Sequence, residues 1–195
     1  MIKVGIFGGS FNPVHCGHIN MAKGAADLLG LNKVLVMPTA NSPHRETAHT
    51  SFEDRMEMCR LAFADDKRFE VSDFEKKLGG KNYTILTLRA LKEAYPKNTA
   101  FYLLIGGDML FYFEKWYRYE SILKECSVVA AARENTEYID MMEYANELGR
   151  VKVLNLPVVE ISSTEVREKI ANGESTEGLI TPAVAEYIKE KGLYL

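Results

Sequence analysis

Two imidazoles lie three residues apart just after a pair of glycines, in the stretch Gly8-Gly9-Ser10-Phe11-Asn12-Pro13-Val14-His15-Cys16-Gly17-His18. The stretch follows an apolar run and leads into a helix-like segment. A strand that ends in such a turn and feeds a helix N-terminus is suited to binding phosphate. It offers oriented backbone amides and a helix dipole, with no side chains in the way. His15 and His18 could then donate hydrogen bonds to negative charge that develops on the bound phosphate. Two plainer readings compete: a tight Gly-Gly turn before an exposed helix start, and a metal pair, which lacks a third Cys or His at ligand spacing. The stretch is neither a Gly-x-Gly-x-x-Gly dinucleotide fingerprint nor a Walker loop.

A second group stands near the other end of the chain, Ile161-Ser162-Ser163-Thr164-Glu165-Val166-Arg167. Ser162 and Glu165 have capping-box spacing. That spacing leaves Ser163, Thr164 and Arg167 unexplained. A cation in the first turn of a helix opposes the dipole, and it becomes sensible if an anion completes the site. Capping and anion binding both remain open for this segment.

These groups need a frame to hold them. Short, mostly continuous apolar runs at 3–7, 33–37, 69–73, 100–105, 127–131 and 151–154 read as parallel strands covered on both faces. Helical patterns alternate with them at about 17–29, from Thr50 or Ser51, and at 84–94, 137–148 and 164–171. Thr50 and Glu53 read as a capping box for the second helix, which turns Phe52, Met56, Cys59 and Phe63 inward. A last helix has Thr181 as its N-cap, Pro182 in its first turn and Gly192 past its end. The alternation predicts a doubly wound, mostly parallel α/β sheet with right-handed crossovers. Ligands in such a sheet sit at the carboxyl ends of the strands, beside the point where strand order reverses. The irregular stretch 38–48, with Asn41, His44 and Arg45, should lie at that edge too.

At 195 residues, with 47% apolar and 26% charged residues, the chain is expected to form one globular domain over 1–195. The net charge of −3 gives no general attraction to nucleic acid or membrane, so a polyanionic ligand needs a local positive pocket. Three scattered cysteines offer neither a disulfide framework nor a Cys-x-x-Cys pair. Met1-Ile2-Lys3 enters a strand rather than a leader, and no apolar run has the length of a membrane span. A cytoplasmic location is expected.

Taken together, GGSFNPVHCGH and ISSTEVR resemble the (T/H)xGH and ISSTxxR motifs of the nucleotidyltransferases. The chain is most similar, over its whole length, to the bacterial nicotinate-nucleotide adenylyltransferases. Further matching pieces are Pro43-His44-Arg45, Tyr83-Thr84, Gly106-Gly107-Asp108 and Trp116-Tyr117. The resemblance implies a Rossmann-like nucleotidyltransferase fold and transfer of AMP from ATP to nicotinate mononucleotide, without a covalent intermediate, in NAD biosynthesis. It implies that Gly8, Gly9, Ser10 and Phe11 line the adenylate site, with His15 and His18 on the phosphates. Ser162, Ser163, Thr164 and Arg167 would hold the departing pyrophosphate, and Gly106 and Asp108 would touch adenine and ribose. The mononucleotide would meet Asn41, His44, Arg45, Thr84, Trp116, Tyr117 and Arg133. Taken alone, Trp116 could be packing, Asp108 a strand end and Arg133 a solvated charge. Mg²⁺ is expected to come with ATP, held by phosphates rather than by a protein metal site. The expected partners are the two small substrates, with homo-oligomers allowed and neither nucleic acid nor membrane involved.

Two departures from the family pattern stand out. Asn12 replaces the more usual Asp, and Glu134-Asn135-Thr136 lacks a usual Pro-Gly. Rival readings are phosphopantetheine or nicotinamide-mononucleotide adenylyltransferase, a class I aminoacyl-tRNA synthetase fragment, and a nucleotide sensor without catalysis.

Overall fold

In the computed structural model, residues 1–40, 50–132, 135–156 and 161–195 are described, the side chains of 135–137 excepted. Asn41, His44, Arg45 and Arg133 therefore lie outside the described residues. Within them, one sheet runs in the order β3-β2-β1-β4-β5-β6. Its strands are β1 (Ile2–Gly9), β2 (Lys33–Pro38), β3 (Phe69–Val71), β4 (Thr99–Gly106), β5 (Ser127–Ala132) and β6 (Val151–Asn155). Every pairing is parallel. The order reverses between β1 and β4, so the ends of these two strands flank the crevice where open α/β sheets bind ligands.

Helices cover both faces, and the side-chain alternation of each strand divides the core accordingly. Phe7, Val34, Val36 and Leu104 face α1 (Cys16–Leu29), α2 (Phe52–Phe63), α8 (Ser163–Ala171) and α9 (Pro182–Lys191). Val4, Ile6, Leu35, Leu103 and Ile105 face α4 (Thr84–Ala94), α5 (Gly107–Phe111), α6 (Tyr119–Glu125) and α7 (Asn135–Leu148). Burial on both faces is why these strands read as unbroken apolar runs. A short α3 (Phe74–Leu78) precedes α4. Among the described residues no helix is long and apolar enough to cross a membrane.

Two local expectations change. The glycine pair is the end of β1, not a turn: Gly8 and Gly9 continue the ladder opposite Met37 and Pro38. The chain reverses later, at Asn12-Pro13, after Phe11 takes a left-handed φ of 46°. At the second helix, Ser51 rather than Thr50 is the N-cap, accepting from the Asp54 N–H. Thr50 is buried just before the cap, and Glu53 pairs with Lys76 instead of closing a capping box.

Candidate active site

The residues after β1 are shaped from beneath by Phe11. Its ring is 1% exposed and packs edge-on to Phe7 and to His18, with ring centroids 5.3 and 5.1 Å apart. A β-carbon on Gly9 would come 3.0 Å from this ring, so any larger residue there would have to push the buried ring aside. At Gly8 the added atom would meet nothing nearer than the Met37 carbonyl at 4.0 Å. This exposed glycine leaves open space at the carboxyl edge of the sheet.

His15 is the N-cap of α1, and the two imidazoles form a capping box with each other. The His18 N–H donates to His15 Nδ1 (3.4 Å), and the His15 N–H donates to His18 Nδ1 (3.2 Å). The rings stack with centroids 3.6 Å apart. With both Nδ1 atoms accepting, the hydrogen of each neutral ring sits on Nε2. The spacing read as phosphate chemistry therefore also caps the helix, and the cap fixes which nitrogen can donate to a ligand. His15 is buried and His18 half-buried. Burial raises the pKa of the neighbouring Cys16 thiol, which keeps it protonated and a poor nucleophile.

The second group arrives from the far end of the chain. Ser162 caps α8 by accepting from the Glu165 N–H at 3.0 Å, as the spacing predicts. Ser163 Oγ donates to the Pro13 carbonyl (2.9 Å), and Arg167 Nη1 donates to the Asn12 carbonyl (2.8 Å). Arg167 Nη2 reaches Thr164 Oγ1 at 3.1 Å. A sequence-distant hydroxyl and a guanidinium thus meet the turn beside the histidines. Arg167 has a partner at the turn even without an anion, and a protein carbonyl offsets only part of its charge. Ser162 and Thr164 remain exposed at the same helix start.

Gly106 ends β4 across the reversal point, Gly107 and Asp108 open α5, and Asp108 is exposed in the first turn of that helix. Thr84 opens α4, and the Tyr83 and Tyr117 rings lie 4.7 Å apart. The start of α4 and the Trp116-Tyr117 segment are thereby neighbours. Trp116 is half-buried with its ring 5.3 Å from Phe113, so packing explains part of it, whereas Tyr117 is 46% exposed.

Arg55 and Tyr194 had no place in the sequence reading of this site, and Asn12 entered it only as a departure from the family pattern. Tyr194 OH donates to Asn12 Oδ1 at 2.7 Å. Burial pushes the Tyr194 hydroxyl up to about 12, so it stays a donor. Asn12 thus has an anchoring contact that needs no charge. Arg55 signals itself only by its position: it shares the inward side of α2 with Met56 and Cys59 and is 1% exposed. Tyr194 gives no local signal, because its contact spans most of the chain.

Residues 6–169 match the cytidylyltransferase-like family. A protein of Lactiplantibacillus plantarum named "Probable nicotinate-nucleotide adenylyltransferase" is 40% identical over 98% of this chain and 88% of its own. Its namesake in Caldicellulosiruptor saccharolyticus is 39% identical over 99% of both chains. Among solved structures, the Plasmodium falciparum nicotinic acid mononucleotide adenylyltransferase complexed with NaAD superposes with a TM-score of 0.84. It is 20% identical, and the match covers 100% of this chain and 98% of that one. At that identity the likeness speaks for the fold. The relatives, matched from end to end, carry the assignment further: the chain belongs to the cytidylyltransferase-like family and, with them, to the nicotinate-nucleotide adenylyltransferases.

Proposed function

We propose that this protein transfers AMP from ATP to nicotinate mononucleotide, releasing pyrophosphate and forming nicotinate adenine dinucleotide. The observation that carries the reading is the meeting of Ser163 and Arg167 with the Asn12-Pro13 turn, beside the His15/His18 pair. One triphosphate lying across that junction would have a donor group at each end.

In this reading, a phosphate oxygen of the mononucleotide attacks the α-phosphorus of ATP in line with the leaving pyrophosphate. The new P–O bond forms as the α–β bridge breaks, and no side-chain nucleophile is required. Backbone amides of the 8–11 stretch receive the adenylate, and Nε2 of His18, with His15 behind it, donates to oxygens of the α-phosphate. Arg167 and the hydroxyls of Ser162, Ser163 and Thr164 hold the β- and γ-phosphates. Gly106 and Asp108 approach adenine and ribose. Thr84, Trp116 and Tyr117 take the nicotinate end, where a flat indole can stack on a pyridine ring. Asn41, His44, Arg45 and Arg133 complete that end in the same reading.

Mg²⁺ fits this donor set as an ion carried by ATP. Among the described residues no three His, Cys, Asp or Glu side chains gather around a common point. Asn12 Oδ1, at the turn, accepts from Tyr194 OH. Phosphate oxygens and water would hold the ion, which when bound lowers the charge on the triphosphate. The whole chain acts as one nucleotidyltransferase domain in the cytoplasm, in keeping with its free cysteines.

The test is an acceptor panel. With ATP and Mg²⁺, pyrophosphate release is expected to be fastest with nicotinate mononucleotide. Fastest release with nicotinamide mononucleotide or phosphopantetheine, or no release with any of the three, overturns the assignment.

A further inference from the structure

Arg55 sits on α2, away from both motifs, yet its guanidinium grips the backbone just past two adjacent strands. Nη1 donates to the Ser10 carbonyl at 2.7 Å, and Nη2 donates to the Thr39 carbonyl at 2.9 Å. Ser10 follows the end of β1 and Thr39 follows the end of β2, so one planar group ties two adjacent strand ends at the ligand edge. The Thr39 N–H closes the same junction by donating to the Gly9 carbonyl at 2.8 Å.

Packing alone gives no reason for a cation here. The side chain is 1% exposed, and Nε has no hydrogen-bond partner among the described residues. Among them no carboxylate pairs with Arg55; it makes a cation–π contact with Phe52 at 5.6 Å. Burial lowers its pKa, a sign that the charge is held away from water. It also stands in the first turn of α2, where the helix dipole disfavours positive charge. A methionine or leucine would fill the space without stranding a charge in the interior. What an apolar side chain could not do is hold two carbonyls at a fixed separation, which a rigid fork of donors does.

The carbonyls of the turn are taken in sequence: Ser10 by Arg55, Asn12 by Arg167 and Pro13 by Ser163. Holding the Ser10 carbonyl fixes the plane of its peptide and with it the direction of the Phe11 N–H, and holding the Pro13 carbonyl does the same for the Val14 N–H. The Asn12 carbonyl precedes proline and has no such N–H. Arg167 and Ser163 come from a helix start already assigned to the phosphates; Arg55 comes from beneath. Its charge, with no carboxylate in direct contact among the described residues, adds positive potential under the same turn.

We propose that Arg55 is a positioning residue for ATP: by bridging the Ser10 and Thr39 carbonyls it sets the amides of the 8–11 stretch toward the triphosphate. The inference rests on the adenylyl-transfer reading, and the test separates the two.

ATP affinity is measured by calorimetry with Mg²⁺ and no second substrate, on the wild type, Arg55→Met and Arg55→Lys. Thermal melts accompany each variant, and KM for nicotinate mononucleotide is read separately. Arg55→Met, close in volume and uncharged, is expected to weaken ATP binding about tenfold or more, with the mononucleotide KM within about twofold of wild type. In Arg55→Lys one ammonium keeps the charge but cannot span both carbonyls, so its ATP affinity falls between the two. Should Arg55→Met not fold, Arg55→Lys decides alone, since wild-type ATP affinity in that variant overturns the bridge. Equal losses toward both substrates also overturn it, because they mark a general structural defect. ATP binding by the wild type without turnover leaves the Arg55 comparison intact while sinking the reaction. A wild type that binds no ATP sinks both.

Discussion

Through Nδ1, His18 accepts the N–H of His15, and through its ring edge it rests against Phe11. The arrangement ties the orientation of Nε2 to the fold of the helix start, so the proposed donor is held in place before substrate arrives. His18→Ala removes both the donor and half of the reciprocal cap. Its turnover is expected to fall by about 10²–10³-fold, while the lost cap costs only about 1 kcal/mol of stability. Steady-state kinetics beside thermal melts separate the two effects, and near-wild-type turnover in a folded variant contradicts the role. The spacing His15-x-x-His18 was read in the sequence as phosphate chemistry, but its use as a cap was not, because imidazole is an uncommon capping group. Arg55 was legible only in part. A charge on the inward stripe of α2 is anomalous, yet its two carbonyl partners lie in other segments that no local pattern connects to it.

The strands and the long helices were readable for a physical reason. A parallel strand buried on both faces must be apolar at every position, and a helix of three turns shows its period clearly. The short helices α3, α5 and α6 were not found, since five to seven residues are too few to display a period. Of these, α3 has a measurable consequence. The Glu75 carboxylate accepts from Thr87 Oγ1 at 3.1 Å, tying α3 to α4, the helix that opens with Thr84. Burial pushes the Glu75 carboxyl from 4.5 up to about 7, with the Thr87 hydrogen bond opposing that rise. The folded state therefore holds this proton more tightly than the unfolded chain does. The stability the group contributes is complete below about pH 4.5 and is lost as pH rises to about 7. Glu75→Gln keeps an acceptor for Thr87 and removes the titration. Relative to wild type, the variant should gain up to about 3 kcal/mol between pH 4.5 and pH 8. Urea unfolding at both pH values checks this, and an unchanged difference between the two proteins contradicts it.

Taken as a whole, the molecule uses its sheet to bring the two ends of the sequence together. The order β3-β2-β1-β4-β5-β6 puts β1 at the reversal point, and α8 then returns over the face that α1 covers. The joint is made by Ser163 with Pro13, Arg167 with Asn12, and Tyr194 with Asn12. Strand–helix alternation pointed to this topology, whereas the Tyr194 anchor could be seen only once the chain was folded. Binding there should be governed by local donors, since the chain carries a net charge of −3. The central claim is that one triphosphate spans this joint, and the most direct measurement is a crystal structure with a non-hydrolysable ATP analogue. The account predicts the α-phosphate beside His18 Nε2, with the β- and γ-phosphates against Arg167 and the hydroxyls that open α8. Phosphates bound away from either group would contradict it.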